Sequence, residues 1–192
     1  MTKIYLVRHA DYTNLENIIP GRLPISISVK GVEQSKKLRE FFADKSIEKI
    51  YSSPVKRCVE TAEIMAGSTI PVVIDEQLAE TLTPSEGAHK EKIWRRQLYT
   101  SITNKEGEAP QDVQRRMIQF WETANFHPGK NYIVCSHGDP LFFLFQYLDH
   151  QTIHTDMEIN KPVGYQSKGS IRLIEKNGDD IVVHDYQESE DL

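Results

Sequence analysis

The sequence has few cysteines, no long apolar run and no excess of positive charge, and each shortage excludes a class of protein. Its 192 residues include only two cysteines, Cys58 and Cys135, too few for the disulfide framework of a small secreted domain. The most apolar stretch, residues 141–148, is far shorter than the ~20 residues of a membrane span. The 23 basic and 28 acidic residues give a net charge of −5, which disfavours a nucleic-acid binder.

The beginning of the chain also lacks a signal-peptide core, because only residues 4–7 lie between Lys3 and Arg8. We therefore expect a cytoplasmic, reduced protein in which both cysteines are buried thiols. No membrane or nucleic-acid partner is expected, and the sequence leaves the oligomeric state open. Internal repeats and low-complexity segments are missing as well, so solenoid and disordered architectures are excluded.

Short apolar runs alternate with helical patterns along most of the chain. This alternation predicts an α/β fold, a three-layer αβα sandwich whose mostly parallel central sheet has an antiparallel edge strand. The dipeptide Asn177-Gly178 predicts the tight turn of the hairpin at that edge. Strands are predicted at residues 4–7, 47–52, 71–74, 132–135, 170–175 and 181–186, and helices at 31–44, from 54 onward, 111–124 and 140–148.

The length and the absence of a linker predict one domain over residues 1–192. Within it, the polar segment 76–106 is interpreted as a lid-like insertion with at most one helix, at residues 93–99. The pair Arg95-Arg96 is interpreted as an exposed helix face, with a substrate-contacting lid as the alternative. The acidic tail, residues 187–192, is expected to be frayed.

Three predicted strands end on residues that can carry chemistry. In an open α/β sheet, ligands bind outside the carboxyl ends of the strands. The first strand ends at Arg8 and His9, the second leads to Arg57 one helical turn later, and the strand at 132–135 leads to His137. If these strands are parallel neighbours, two arginines and two histidines meet in one crevice.

Two of these strand ends also have the pattern of a helix start. Ser53 precedes Pro54 and Asp139 precedes Pro140, so each pair combines a candidate N-cap with proline at the first helical position. The N-terminus of a helix presents unpaired N–H groups, which favour phosphate. The sequence therefore predicts a local anion site on a chain of net negative charge.

The order and spacing of these residues resemble the histidine phosphatase (phosphoglycerate-mutase-like) superfamily. The similarity covers residues 3–176, and several ordered motifs are far more specific than any dipeptide. The matching segments are Arg8-His9-Ala10, Gly31-Val32-Glu33-Gln34-Ser35, Ser52-Ser53-Pro54 with Arg57 and Thr61-Ala62, Leu78-Ala79-Glu80, Gly107-Glu108-Ala109 with Val113 and Arg116, and Ser136-His137-Gly138-Asp139-Pro140.

The sequence departs from the family pattern in three places. Ala10 stands where the first motif has glycine, a common change. Asn14 is the nearest candidate for a phosphate-binding asparagine, although it is one position out of register. Residues 81–88 replace an aromatic-Gly-Trp-x-Gly stretch, so the resemblance leaves the substrate side of the pocket undefined.

The resemblance implies a phosphomonoesterase in which His9 is the nucleophile and carries the phosphoryl group as phosphohistidine. A histidine suits this role because its pKa of about 6.5 leaves a neutral ring nitrogen at pH 7. Arg8, Arg57 and His137 are then expected to hold the phosphoryl oxygens, because a guanidinium binds phosphate with two parallel hydrogen bonds. The expected ligand is a small phosphorylated substrate.

Glu80 is the candidate general acid, because a leaving alkoxide needs a proton and a partly buried carboxyl has a raised pKa. Glu76 and Glu86 are the fallback candidates. Arg22 follows the first motif on a loop, where it either binds a substrate phosphate or carboxylate or is solvated. Arg22 and Asn14 are therefore candidate substrate-binding residues.

No cofactor and no metal are expected, because His9 and His137 are predicted to lie among arginines that would repel a cation. Three alternatives stay open: a cofactor-dependent phosphoglycerate-type mutase, a phosphate-binding pseudoenzyme, and a metal-dependent hydrolase that uses His137 and Asp139. A mutase needs loops that hold a bisphosphate and exclude water, and this chain is short between its second and third motifs.

Overall fold

The computed structural model describes residues 1–92, 107–153 and 162–192. The helix predicted at residues 93–99, with Arg95 and Arg96, and about half of the insertion predicted at 76–106 lie outside the described residues. The single domain over residues 1–192 stays a prediction.

A six-stranded sheet forms the centre of the molecule. Its strands are β1 (Thr2–Arg8), β2 (Ile47–Ser52), β3 (Val72–Ile74), β4 (Asn131–Ser136), β5 (Ile171–Asn177) and β6 (Asp180–Gln187). Their order in space is β3-β2-β4-β1-β5-β6, and the first four are mutually parallel. β5 runs antiparallel to β1 and is joined to β6 by the expected hairpin, whose turn is residues 178–179, one position after the predicted Asn177-Gly178. The predicted α/β class with an antiparallel edge is confirmed.

Helices cover both faces of this sheet in the described part of the chain. They are α1 (Val29–Phe42), α2 (Lys56–Ala66), α3 (Pro110–Thr123) and α4 (Gly138–Leu148). Successive residues of a strand point to opposite faces, so Leu6 belongs to the core with α3 and α4, and Val7 to the core with α1 and α2. The three-layer prediction is thereby confirmed. None of the helices described is both long and apolar enough to cross a membrane.

The two helix starts next to the predicted anion site differ from the sequence expectation. α2 begins at Lys56 with Val55 as N-cap, and α4 begins at Gly138 with His137 as N-cap. The prediction of Ser53 and Asp139 as N-caps is wrong. The hydroxyl of Ser53 bonds the ring of His137, and the carboxylate of Asp139 accepts from a tyrosine hydroxyl. The hydroxyl of Ser53 also accepts from the N–H of Val55 at 3.2 Å, and Asp139 lies in the first turn of α4, so both side chains contact the site while they stay next to a helix start.

The acidic tail is packed against the body of the molecule, so the expectation of a frayed tail at residues 187–192 is wrong. The side chain of Ser189 is buried and accepts a hydrogen bond of 3.0 Å from the amide of Gln34. Leu192 packs against the core between the sheet and α1 and α2. A buried amide needs a partner, and the tail supplies one.

Candidate active site

Three adjacent parallel strands bring the predicted residues together. β2, β4 and β1 are neighbours in that order, and Arg8 at the end of β1 is paired in register with Ser136 at the end of β4. Arg57 reaches the same edge from the first turn of α2. The structure thus places both arginines and both histidines in one cluster, as the strand-end argument predicted.

His9 is held as a neutral imidazole with one defined tautomer. Its side chain is buried. The ring Nδ1 lies 2.8 Å from the carbonyl oxygen of Ala10, and the ring Nε2 lies 3.1 Å from Nε of Arg57. The carbonyl can only accept and the guanidinium can only donate, so Nδ1 carries the proton and Nε2 the lone pair. Burial, followed by the charges of Arg57 and Arg8, holds the pKa of His9 well below its usual value.

Arg57 is the centre of the cluster and is fully buried. Its Nη2 donates to the carbonyl oxygen of Gly21 at 2.9 Å and to Nδ1 of His137 at 2.8 Å. The same nitrogen lies 3.4 Å from a carboxylate oxygen of Glu80. Its Nη1 has no hydrogen-bond partner among the described residues. A buried donor left unpaired is costly, and an anion bound at this point would satisfy it.

Arg8 lies beside this group and is oriented by contacts from the segment that precedes β5. Its Nη1 donates to the carbonyl oxygen of Gln166 at 2.7 Å, and its guanidinium stands 5.2 Å from the ring centre of Tyr165. The buried Nε of Arg8 also lacks a hydrogen-bond partner in the described part of the chain. Each of the two guanidiniums therefore has one buried nitrogen without a hydrogen-bond partner among the described residues, and both residues line the same cleft.

His137 is fully buried behind Arg57 and does not line the cleft that the other residues form. Because its Nδ1 accepts from Arg57, its Nε2 carries the proton and donates to the hydroxyl of Ser53 at 2.8 Å. Burial, and then the charges of Arg57 and His9, hold the pKa of His137 well below its usual value. As placed, His137 orients Arg57.

Glu80 contributes a carboxyl group to the cleft, and its side chain is 17% exposed. One carboxylate oxygen accepts from the N–H of Thr81 at 3.0 Å, and the other lies 3.5 Å from Nδ1 of His137. Burial, and then the nearby charge of Asp139, raise the pKa of Glu80 to about 7, although Arg57 opposes them. Glu80 can therefore either donate or accept a proton near neutral pH.

The cleft in front of this cluster has a volume of about 200 Å³. Its walls combine two cationic side chains with hydroxyl, carboxyl and apolar groups, so it has room for a phosphoryl group and a small leaving group. The lining residues are Arg8, His9, Tyr12, Ile19, Pro20, Gly21, Arg57, Glu80, Thr81, Thr83, Asp139 and Tyr165.

The two further candidates for substrate binding are not among these lining residues. The amide of Asn14 bonds the N–H and the carbonyl oxygen of Ile18 at 3.1 and 3.0 Å, so it closes its own loop. Arg22 donates to the carbonyl oxygen of Glu80 at 2.7 Å and forms an ion pair of 2.9 Å with Glu108. The side chain of Arg22 is 35% exposed, and its hydrogen bonds go to the backbone of Glu80 and to Glu108, so it is held in place without lining the cleft.

Sequence reasoning missed several residues of the site. The ring of Tyr12 lies 5.5 Å from that of His9, and the hydroxyl of Tyr165 donates to Asp139 at 2.7 Å. Gly138 permits this approach, because a Cβ at that position would lie 2.1 Å from the hydroxyl oxygen of Tyr165. The Gly at 138 was visible in the motif, but nothing in the sequence indicated which side chain would fill the space beside it.

Among the described residues, no group of three or more histidine, cysteine, aspartate or glutamate side chains is arranged to hold a metal ion. The pair His137 and Asp139, the candidate ligands of a metal-dependent hydrolase, are engaged with Arg57 and Tyr165 respectively.

Comparisons with known proteins agree with this geometry. The family model described as "Histidine phosphatase superfamily (branch 1)" matches residues 4–187. A Hydrogenobacter thermophilus protein with the provisional name phosphoserine phosphatase 2 is 30% identical over 73% of this chain and 75% of its own. A 2,3-bisphosphoglycerate-dependent phosphoglycerate mutase of Nocardia farcinica is 25% identical over 84% and 83%. The solved structure of Bacillus stearothermophilus YhfR matches with a TM-score of 0.82 and 27% identity, over 95% of each chain.

Proposed function

Because the chain belongs to branch 1 of the histidine phosphatase superfamily, we propose that it hydrolyses small phosphomonoesters through a phosphohistidine on His9. One observation carries this proposal. The unprotonated Nε2 of a buried, neutral His9 lies 3.1 Å from Arg57, whose fully buried Nη1 has no partner among the described residues. A lone pair that can attack phosphorus, next to a guanidinium with an unpaired N–H donor, is the arrangement that binding and transfer of a phosphoryl group require.

In the first half of the reaction, the phosphoryl oxygens bind to the unpaired donors of Arg8 and Arg57. Nε2 of His9 attacks phosphorus, and the bond between phosphorus and the leaving oxygen breaks. Glu80 donates its proton to that oxygen, which departs as an alcohol. Fixed positive charges lower the barrier because negative charge spreads over the phosphoryl oxygens in the transition state.

In the second half, the ionised carboxylate of Glu80 takes a proton from a water molecule. The oxygen of that water attacks phosphorus, the phosphorus–nitrogen bond breaks, and its electron pair returns to Nε2 of His9. Inorganic phosphate leaves, and the neutral imidazole and the protonated Glu80 are restored. The pKa of about 7 suits Glu80 to both halves, which need opposite protonation states.

Phosphate release from p-nitrophenyl phosphate tests this function against its three alternatives. We expect turnover that a chelator leaves unchanged and that vanadate, an analogue of the five-coordinate transition state, inhibits. Loss of turnover with chelator and recovery with a divalent cation would support the metal-dependent hydrolase. Phosphoryl exchange between phosphoglycerates without phosphate release would support a mutase, and binding of phosphate without turnover a pseudoenzyme.

Replacement of Glu80 by glutamine is expected to make the rate depend on the leaving group. A general acid contributes about 10²–10⁴-fold, so kcat/KM for alkyl phosphates should fall on that order. kcat/KM for p-nitrophenyl phosphate covers only the steps up to departure of the leaving group and should fall much less, because its phenolate leaves without a proton. kcat should fall with both substrates, because the second half of the reaction lacks its base. The matched control is Glu76→Gln, a carboxyl of the preceding turn that does not line the cleft. Equal losses of kcat/KM with both substrates would contradict the role of Glu80.

The pH dependence of kcat/KM follows from the two shifted groups. His9 must be unprotonated, and its lowered pKa keeps it so down to pH values well below 6.5. Glu80 must be protonated to donate, so with an alkyl phosphate kcat/KM should fall above its pKa of about 7. The substrate is already a dianion there, since its second pKa is about 6. Glu80→Gln should abolish this alkaline limb, and an unchanged limb would contradict the assignment.

A further inference from the structure

The placement of Glu80 is not explained by its own side-chain contacts. It follows a short 3₁₀ turn, Glu76–Leu78, and belongs to no helix or strand. Its carboxylate accepts from the neighbouring N–H of Thr81 and lies 3.4 and 3.5 Å from Arg57 and His137. These two distances are long for charged hydrogen bonds. The position of the carboxyl therefore depends on what holds the backbone of this segment.

Three charged side chains hold that backbone, and we call them the acid clamp: Arg22, Glu108 and Arg116. Arg22 comes from the loop after β1, Glu108 precedes α3, and Arg116 lies within α3. Nε of Arg22 donates to the carbonyl oxygen of Glu80 itself at 2.7 Å. The clamp thus fixes the residue that carries the acid and not only its surroundings.

The other two members of the clamp hold the same segment on either side of Glu80. Nη1 of Arg116 donates to the carbonyl oxygen of Gln77 at 2.6 Å. A carboxylate oxygen of Glu108 accepts from the N–H of Leu82 at 2.8 Å, and the N–H of Glu108 donates back to the carbonyl oxygen of Leu82 at 2.8 Å. Contacts at residues 77, 80 and 82 leave the intervening backbone little freedom to move.

Glu108 joins the two arginines. One of its carboxylate oxygens accepts from Nε of Arg116 at 2.7 Å, and the other lies 2.9 Å from Nη2 of Arg22. Burial raises the pKa of Glu108, but the hydrogen bonds and charge of Arg116 outweigh it, so the pKa lies below its usual range. The side chains of Arg116 and Glu108 are only 15% and 18% exposed, so the pair is shielded from solvent and from screening.

We propose that the acid clamp positions Glu80 for proton transfer, and that Arg22 is a positioning residue. This rests on the proposed function, since it takes Glu80 as the general acid. The loop also supports the nucleophilic side of the site, because the carbonyl oxygen of Gly21 accepts from Nη2 of Arg57. One loop thereby sets the distance between the acid and the phosphoryl-binding arginine.

The test is the leaving-group dependence of Arg22→Ala and Glu108→Gln. A displacement of ~1 Å in a catalytic group costs about 10²-fold, so we expect kcat/KM to fall by roughly that factor with an alkyl phosphate. With p-nitrophenyl phosphate, whose leaving group needs no proton, kcat/KM should fall less than threefold. An equal fall in kcat/KM with both substrates at constant kcat would assign Arg22 to substrate binding and overturn the proposal.

A double-mutant cycle separates positioning from general loss of structure. Once Glu80 is glutamine, Arg22→Ala should cause no further loss with the alkyl phosphate, because the clamp then has no acid to place. Arg22→Lys keeps the charge but cannot reach Glu80 and Glu108 together, so it should reproduce most of the effect. The matched control is Arg115→Ala. Arg115 is an exposed arginine of α3, next to Arg116 of the clamp, and its replacement should leave the kinetics as in wild type.

The outcomes distinguish the clamp from the function on which it rests. If Glu80→Gln shows no leaving-group dependence, the assignment of the acid fails, whatever the clamp does. If Glu80→Gln shows leaving-group dependence but neither Arg22→Ala nor Glu108→Gln does, the proposed function stands and the clamp is overturned. A further loss from Arg22→Ala in the Glu80→Gln background would likewise overturn it, because the arginine would then act through another group.

Discussion

Replacement of His9 by alanine is expected to lower kcat/KM for p-nitrophenyl phosphate by on the order of 10⁴-fold or more, the scale on which a covalent nucleophile contributes. The loss should not depend on the leaving group, because the bond to phosphorus cannot form in either case. This separates His9 from Glu80, whose replacement should affect poor leaving groups most. Steady-state kinetics with both substrate types would measure the difference.

The matched control for His9 is His184→Ala, an exposed histidine of β6 that pairs with Glu175 at 3.1 Å. It should keep wild-type kinetics, which would show that removing an imidazole is harmless elsewhere. His9→Ala should still bind phosphate, since the unpaired donors of Arg8 and Arg57 remain. Turnover by His9→Ala within tenfold of wild type would refute the nucleophile assignment.

Replacement of Arg57 by alanine is expected to have the second-largest effect. A single donor to a developing anion contributes about 10²–10³-fold, and Arg57 also orients His137 and anchors the loop at Gly21. We therefore expect a loss of at least about 10³-fold in kcat/KM. The pKa of His9 should rise, because one of the two guanidiniums that lower it is gone.

Arg57→Lys separates charge from geometry. Its single ammonium keeps a positive charge near His9, so the pKa of His9, followed by NMR titration of the ring, should stay closer to the wild-type value than in Arg57→Ala. The rate should still fall by about 10²-fold, because one ammonium cannot bond the phosphoryl group and His137 as the planar fork does. Lys56→Ala, an exposed neighbour on α2, is the control. Wild-type activity in Arg57→Lys would contradict the claim that this side chain must bond the phosphoryl group and His137 at the same time.

The central features of the site could be predicted from the sequence because they are local. Arg8 and His9 end a buried strand, and Arg57 follows another strand by one helical turn. Parallel strands present their carboxyl ends at one edge of the sheet, so these residues were expected to meet if the strands are parallel neighbours. The roles of His9 and Glu80 followed from the family resemblance. The three-layer fold followed from the same alternation of strands and helices.

The residues that sequence reasoning misplaced are decided by contacts between distant parts of the chain. Arg22 and Glu108 are separated by 86 positions, and nothing near Arg22 indicates that a carboxylate will engage it. The tail offered the same difficulty, since the buried partner of Ser189 is Gln34, 155 positions away. For Arg22 the sequence left substrate binding and solvation open, and for the tail its acidic composition predicted fraying; contacts with distant residues decided both outcomes.

The N-cap predictions failed for a different reason. Ser53 has the residue type and the following proline that a helix start prefers, but its hydroxyl is within 2.8 Å of Nε2 of His137. A side chain that can cap a helix can also orient a buried ring, and the sequence does not distinguish the two. Here the same oxygen contacts the ring of His137 and also accepts from the N–H of Val55, the N-cap residue of α2, at 3.2 Å.

Trapping the covalent intermediate tests the central claim most directly. Rapid acid-free quenching during turnover, followed by mass spectrometry of the digested protein, should find a phosphoryl group on Nε2 of His9. It should accumulate in Glu80→Gln with p-nitrophenyl phosphate, because the base for the second half is missing, and it should be absent from His9→Ala. Phosphate released with no phosphorylated His9 at any time, or a phosphoryl group on another residue, would contradict the account.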